Sequence, residues 1–166
     1  MRTLGTTLAL LSLAACAALL AGCGGSGRDE HAPVACREGR ATILDALGAA
    51  PGEVVLAGEA PLSDCLVVGA EAGELADLGE GAIAAANQLN SEARAATNSG
   101  AVEKAAVKLG YLVGAIARGE SDTEGVHGEL LRRLTVSAKF APSGESLPPS
   151  FRAAYEKGFR AGRSHG

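Results

Sequence analysis

The chain of 166 residues has no tryptophan and only two tyrosines and three phenylalanines. A core without large rings must be built from Ala, Leu, Val and Ile, which suits closely packed helices better than a large β-sandwich. Cysteine is scarce as well: there are four, with no C-x-x-C or H-x-x-x-H spacing of the kind a zinc site uses. Positive charge is thin over most of the chain, because residues 23–131 hold 7 basic against 17 acidic groups. An acidic body of this kind argues against nucleic-acid binding. Residues 132–166 reverse the balance with 7 basic and 2 acidic groups and form the one positive patch. Past the N-terminus long apolar runs are missing too. Residues 109–117 make a run of only nine, far short of the ~20 needed to cross a bilayer.

The N-terminus differs in kind. Arg2 precedes an almost uncharged stretch of Leu, Ala, Thr, Gly and Ser over residues 4–20, which reads as a secretory leader. An uncleaved transmembrane helix is the competing reading. Leu20-Ala21-Gly22-Cys23 separates the two, because it resembles the lipobox of bacterial lipoproteins. That resemblance implies a diacylglyceryl group on the Cys23 thiol, cleavage before Cys23, and an α-amine open to further acylation such as palmitoylation. Thioether formation needs a soft thiolate that serine cannot supply at neutral pH. Leu13-Ala14-Ala15-Cys16 fits the same pattern, but leaves an apolar region of about eight residues, near the lower limit. The chain also turns polar and glycine-rich only after Cys23. The expected organisation is therefore a signal peptide over residues 1–22, a flexible tether over 23–35 and one mainly helical domain over 36–163.

Removal of the leader leaves Cys36 and Cys65 as the two cysteines of an exported, oxidised domain, and a disulfide between them is predicted. Free buried thiols, or a metal site drawing in His31 and His127, are the alternatives. The expected fold is mainly α: a small antiparallel bundle of three to four helices with a short disulfide-tied helix and a candidate β-hairpin at its N-terminal side. Residues 40–47 predict a helix with Ile43, Leu44 and Leu47 inward, broken at Pro51-Gly52. Residues 54–56 and 62–68 are the candidate strands. From 72 to 96, Leu75, Leu78, Ala82, Ala86, Leu89, Ala93 and Ala96 recur at steps of three and four, with Glu74, Asp77 and Glu80 on the solvated side.

After a turn over residues 97–100, a helix over 101–118 repeats that pattern through Val102, Ala105, Leu109, Leu112, Val113 and Ile116. Its Gly110 and Gly114 form a G-x-x-x-G that predicts close backbone packing within the bundle. Gly119 is expected to end it, and Ser121-Asp122-Thr123-Glu124 reads as a capping box for the next helix, with Val126, Leu130, Leu131, Leu134 and Ala138 inward and Arg132 and Arg133 outward.

The last segment, 150–163, places Phe151, Tyr155 and Phe159 on one helical stripe, with Arg152, Lys157, Arg160 and Arg163 off it. Such a helix either caps the core with its cations turned toward the acidic body, lies on an anionic membrane surface, or docks a partner. Phe151, Arg152, Tyr155, Phe159 and Arg160 are its candidate interaction residues.

No residue is assigned a catalytic, cofactor-binding or metal role. Ser63-Asp64-Cys65 are chain neighbours, which rarely converge on a substrate. A Cys65–His127 nucleophilic pair has only residue type in its favour. Gly79-Glu80-Gly81 lacks the Lys and spacing of a phosphate loop. These features predict an exported lipoprotein, anchored through Cys23 to membrane lipid on the extracytoplasmic side, that binds or scaffolds an envelope protein and no nucleic acid. A small envelope hydrolase or thiol enzyme, and a small-ligand carrier, are the rival classes. The mature protein is expected to begin at a lipidated Cys23. The intact mass of protein extracted from membranes checks this, and an unmodified leader contradicts it.

Overall fold

The computed structural model describes residues 31–139 and 149–166. The leader, Cys23, most of the tether, Phe140 and the loop over 141–148 lie outside the described residues. Five helices and one two-stranded ladder follow in chain order: α1 (Arg40–Ala46), β1 (Val55–Leu56), β2 (Ala60–Pro61), α2 (Ala72–Ala95), α3 (Ser99–Asp122), α4 (Gly128–Ser137) and α5 (Pro149–His165). Three 3-10 turns, Val34–Arg37, Leu47–Ala49 and Leu62–Cys65, join the N-terminal pieces.

Helix α3 is the axis of the molecule. Every residue from 109 to 117 is buried, so this helix has neighbours on all sides. On one side α2 lays down Leu78, Ala82, Ala85, Ala86, Leu89 and Ala93, the small-residue stripe expected of it. Helix α4 adds Leu130, Leu134 and Ala138. The Asn90 side-chain amide donates to the Ser137 carbonyl at 2.6 Å and ties α2 to the end of α4.

Helix α5 makes the closest approach. A methyl on Gly110 would strike the Tyr155 carbonyl and sit 2.9 Å from the Phe159 nitrogen; one on Gly162 would strike the Tyr111 carbonyl and sit 2.7 Å from the Ala115 nitrogen. Gly158 meets Val107 and Tyr111 in the same manner, so the G-x-x-x-G of α3 is answered by a second one on α5. Contacts advance together along both chains, from 107 with 158 to 117 with 163, so the two helices run parallel. Helix α4 supplies the return, and consecutive helices from α2 to α5 alternate in direction.

The N-terminal subdomain is closed by its own disulfide and pinned to this bundle at two further points. Cys36 and Cys65 are disulfide-bonded, with 5.6 Å between their Cα atoms and a sequence separation of 29. In the chain-entropy account a loop of this size is stabilised by about 3–4 kcal/mol. The Tyr111 hydroxyl, at the centre of α3, accepts from the Val54 backbone N–H at 3.3 Å. Gly81 lets α1 approach α2, since a methyl there would lie 3.1 Å from the Gly39 backbone. Ala32 and Ala35 are buried, so packed structure begins inside the span read as tether.

Several expectations need correction. The second strand is Ala60–Pro61, pairing Val55 with Pro61 and Leu56 with Ala60, whereas residues 62–65 form a 3-10 turn. The tight connection explains the early register: in the three-residue loop 57–59, Ala57 and Gly58 both have positive φ and the Glu59 N–H donates to the Leu56 carbonyl at 2.8 Å. Helix α3 starts at Ser99, capped by the Asn98 side chain, which accepts from the Ala101 N–H at 2.8 Å.

It also runs through Gly119. A methyl there would strike the Ser63 carbonyl and lie 3.1 Å from Leu66 Cβ, so this glycine admits the 62–65 turn to the helix and does not terminate it. Ser121 belongs to the same helix, its hydroxyl donating to the Ala117 carbonyl at 2.9 Å, and the chain reverses at Glu124 and Gly125, both at positive φ. Val126, expected inside, stands in that reversal and is 64% exposed.

The glycine contacts generate a paired expectation. Gly110→Val should destabilise the fold by about 3 kcal/mol or more, because backbone atoms of α5 cannot yield as side chains do. Gly73→Ala, whose methyl would meet nothing within 4 Å, should be neutral or raise stability by up to about 1 kcal/mol. Thermal melts of the two variants beside the parent check both.

Candidate functional site

The buried face of α5 consists of Phe151, Gly158 and Gly162, which follow helical spacing and sit against α3. Tyr155 and Phe159 flank that face and are half-buried. The three rings stack in series, 6.5 Å from Phe151 to Tyr155 at 15° and 6.4 Å from Tyr155 to Phe159 at 17°. Burial pushes the Tyr155 phenol above its usual pKa. This stripe therefore closes the bundle, but glycines rather than aromatics make the innermost contact. Gly158 and Gly162 were missed in the sequence, although their four-residue spacing matches that of Gly110 and Gly114.

The cations of α5 divide into two groups. Arg163 is held: its Nη1 donates to the Ala117 carbonyl at 2.5 Å and to the Ser121 hydroxyl at 2.9 Å. Arg118 of α3 reciprocates, donating to the Ser164 carbonyl at 2.6 Å. The Ser63 hydroxyl donates to the Gly166 carbonyl, so the end of α5 is fastened on both sides. Arg152, Lys157 and Arg160 are exposed and form no salt bridge among the described residues. None of these three pairs with a carboxylate of the acidic body among the described residues. The helix is held by its glycine face, and that leaves its charged side outward.

The other sequence candidates fall elsewhere. Cys23 lies outside the described residues. Cys36 and Cys65 are buried in their disulfide, so the Cys65–His127 pair has no thiolate. His127 is buried, with Nε2 3.1 Å from the Val67 carbonyl, and docks the 123–127 reversal onto the segment after the disulfide. Asp77 and Glu80 are exposed as expected. Glu74 is not: it is only 6% exposed.

Its carboxylate closes a capping box at the start of α2, accepting from the Glu71 N–H at 3.3 Å, and also accepts from the Ala32 N–H at 3.4 Å. His31 Nδ1 at 3.5 Å and Arg37 Nη1 at 3.4 Å approach it as well. Burial alone would raise its pKa, but the two backbone donors and the neighbouring cations bring it below the usual carboxylate range. Glu74 thus clamps the start of the folded chain to the bundle. Neither contact was read from the sequence: Glu71 is not a residue of the usual capping-box signature, and the chain at Ala32 is 42 positions away.

Among the described residues no group of three or more His, Cys, Asp or Glu could hold a metal ion, and no helix is long and apolar enough to cross a membrane. No protein-family model matches the chain, and neither curated proteins nor solved structures give a match.

The Glu74 clamp has a pH signature. A carboxyl whose folded pKa is depressed contributes stability above its unfolded pKa of about 4.3 and loses it as pH falls through the folded value. Acid unfolding followed by circular dichroism should therefore show Glu74→Gln less stable than the parent at neutral pH, with the difference narrowing below about pH 4. Parallel curves at all pH values would show that the carboxylate carries no charge-dependent role.

Proposed function

We propose that this protein is a lipid-anchored, extracytoplasmic binding module whose last helix presents a cationic face to an acidic component of the cell envelope. The observation that carries the docking role is the division among the cations of α5. Arg163 is committed to the Ala117 carbonyl and the Ser121 hydroxyl, while Arg152, Lys157 and Arg160 project from a rigidly seated helix with no ion pair among the described residues. A helix fixed by backbone contact offers such groups at little ordering cost, which favours binding over a mobile tail. Half-buried Tyr155 lies three residues, one helical turn, from Arg152 and supplies an apolar edge of the kind docking surfaces use beside charge.

The anchor is inferred from the lipobox-like residues 20–23. Export is supported by the Cys36–Cys65 bond, because disulfides persist in oxidising compartments. The non-catalytic reading is supported by what occupies the reactive groups. Both described thiols are joined, His127 faces a carbonyl, and Glu74 is engaged by backbone amides.

A photo-crosslinking residue at exposed Glu156, between the free cations, tests this in intact cells. One reproducible acidic envelope protein should be captured, and lost both in the Arg152→Glu/Arg160→Glu double variant and in Cys23→Ser. Capture that survives the charge reversal, or that is equal without the anchor, would overturn the proposal.

A further inference from the structure

We propose that a cleft between the end of α1 and the first turns of α3 binds a small soluble organic anion, with a phosphate or carboxylate head held by Lys104 and Lys108 and an apolar body against Ala50, Pro51 and Val107. The cleft has a volume of about 570 Å³, within the ~300–1,000 Å³ typical of small-molecule sites. It is open at the surface and does not intrude on the Ala-rich packing between helices.

Charge decides the class of ligand. Lys104 and Lys108 are four residues apart on one face of α3, where like charges repel. Neither has a carboxylate within salt-bridge distance among the described residues, although Glu103 also lines the cleft. In a chain whose residues 23–131 carry a large acidic excess, two adjoining cations without a partner make a local positive spot. The start of α3, at Gly100 on the rim, adds the positive end of the helix dipole. The opposite wall is uncharged and apolar, so the site suits an anion with a hydrophobic body more than a bare ion.

The space lies over the Leu47–Ala49 turn, with glycine on both of its walls. Neither Gly48 nor Gly100 has a positive φ; a methyl on Gly48 would meet nothing within 4 Å, and one on Gly100 would meet only Asn98 Oδ1 at 3.5 Å. Side chains could fill the cleft without strain, and glycines leave it open.

Position favours a soluble ligand over a lipid headgroup. The Glu74 clamp, where the N-terminal segment joins the bundle, is level with the C-terminal end of α3. Lys104 and Lys108 lie ~20 Å away along the helix axis at 1.5 Å per residue. This site does not rest on the docking role of α5, and the two are separable by experiment.

The test uses the full ¹⁵N-labelled chain in uncharged micelles, titrated with phenyl phosphate and followed by amide chemical shifts. Saturable shifts should appear at Gly48, Ala50, Gly100 and residues 103–108, with affinity weakened about tenfold or more in Lys104→Glu/Lys108→Glu. Gly48→Glu, which needs no repacking, should abolish them while leaving the melting temperature unchanged. The Arg152→Glu/Arg160→Glu variant should bind as the parent does, so failure of the α5 proposal leaves this one standing. Inorganic phosphate alone should bind more weakly than phenyl phosphate. Absence of saturable shifts, or shifts indifferent to the cleft variants, would overturn the site. Lysine-dependent partition onto phosphatidylglycerol but not phosphatidylcholine vesicles, without phenyl phosphate binding, would overturn the soluble-ligand assignment in favour of a headgroup.

Discussion

The meeting of two backbones, α3 at Gly110 and Gly114 and α5 at Gly158 and Gly162, is the constraint on which the rest of this structure depends. Helices that touch through glycine lose the side-chain layer that normally separates them, and dispersion contacts between main chains take its place. Such an interface tolerates no Cβ on either side. It also explains how a chain without tryptophan forms a tight core, since little volume remains to be filled. Of its aromatics, Tyr111 and Phe151 are buried, while Tyr155 and Phe159 stack beside the contact rather than within it.

Close seating of α5 is accompanied by further ties near the C-terminal end of α3. Arg118 and Arg163 cross-brace the two helices by donating to carbonyls of the partner helix, and the Leu62–Cys65 turn closes over Gly119. The disulfide closes the N-terminal subdomain on itself, and the Glu74 carboxylate and the Tyr111–Val54 hydrogen bond fasten it to the same scaffold. Each is long-range in sequence. A segment built from two-residue strands and single helical turns would be marginal alone; here it borrows order from the bundle.

The functional proposals follow from the same arrangement. Because glycines hold α5, its charged residues need not serve the packing, and Arg152, Lys157 and Arg160 remain outward. Because α1 ends in a 3-10 turn beside α3 without filling the space above Gly48, a lysine-lined cleft remains. Both proposed binding features sit on a rigid frame, which suits the proposed module that holds a component in place.

Much of the frame was legible along the chain. Periodicity located α2, α3, α4 and α5, cysteine count identified the disulfide, and the G-x-x-x-G of α3 announced close packing. These are local signals, or signals with only one solution. The boundaries that went astray have two causes: a contact with a distant segment kept Gly119 inside α3, whereas turns with positive φ at Ala57 and Gly58 and at Glu124 and Gly125 set the strand register and left Val126 exposed. A glycine that usually stops a helix is kept inside one when another segment's carbonyl must come within reach. Likewise Glu74 reads as one carboxylate on a solvated face until Ala32 folds over it. The sequence by itself thus determined the helices, their apolar faces and the cysteine pair, because those depend on residue spacing. Only the tertiary structure decided which helix meets the glycines, which carboxylate is buried and which cations stay free, because each of these depends on what another part of the chain brings alongside.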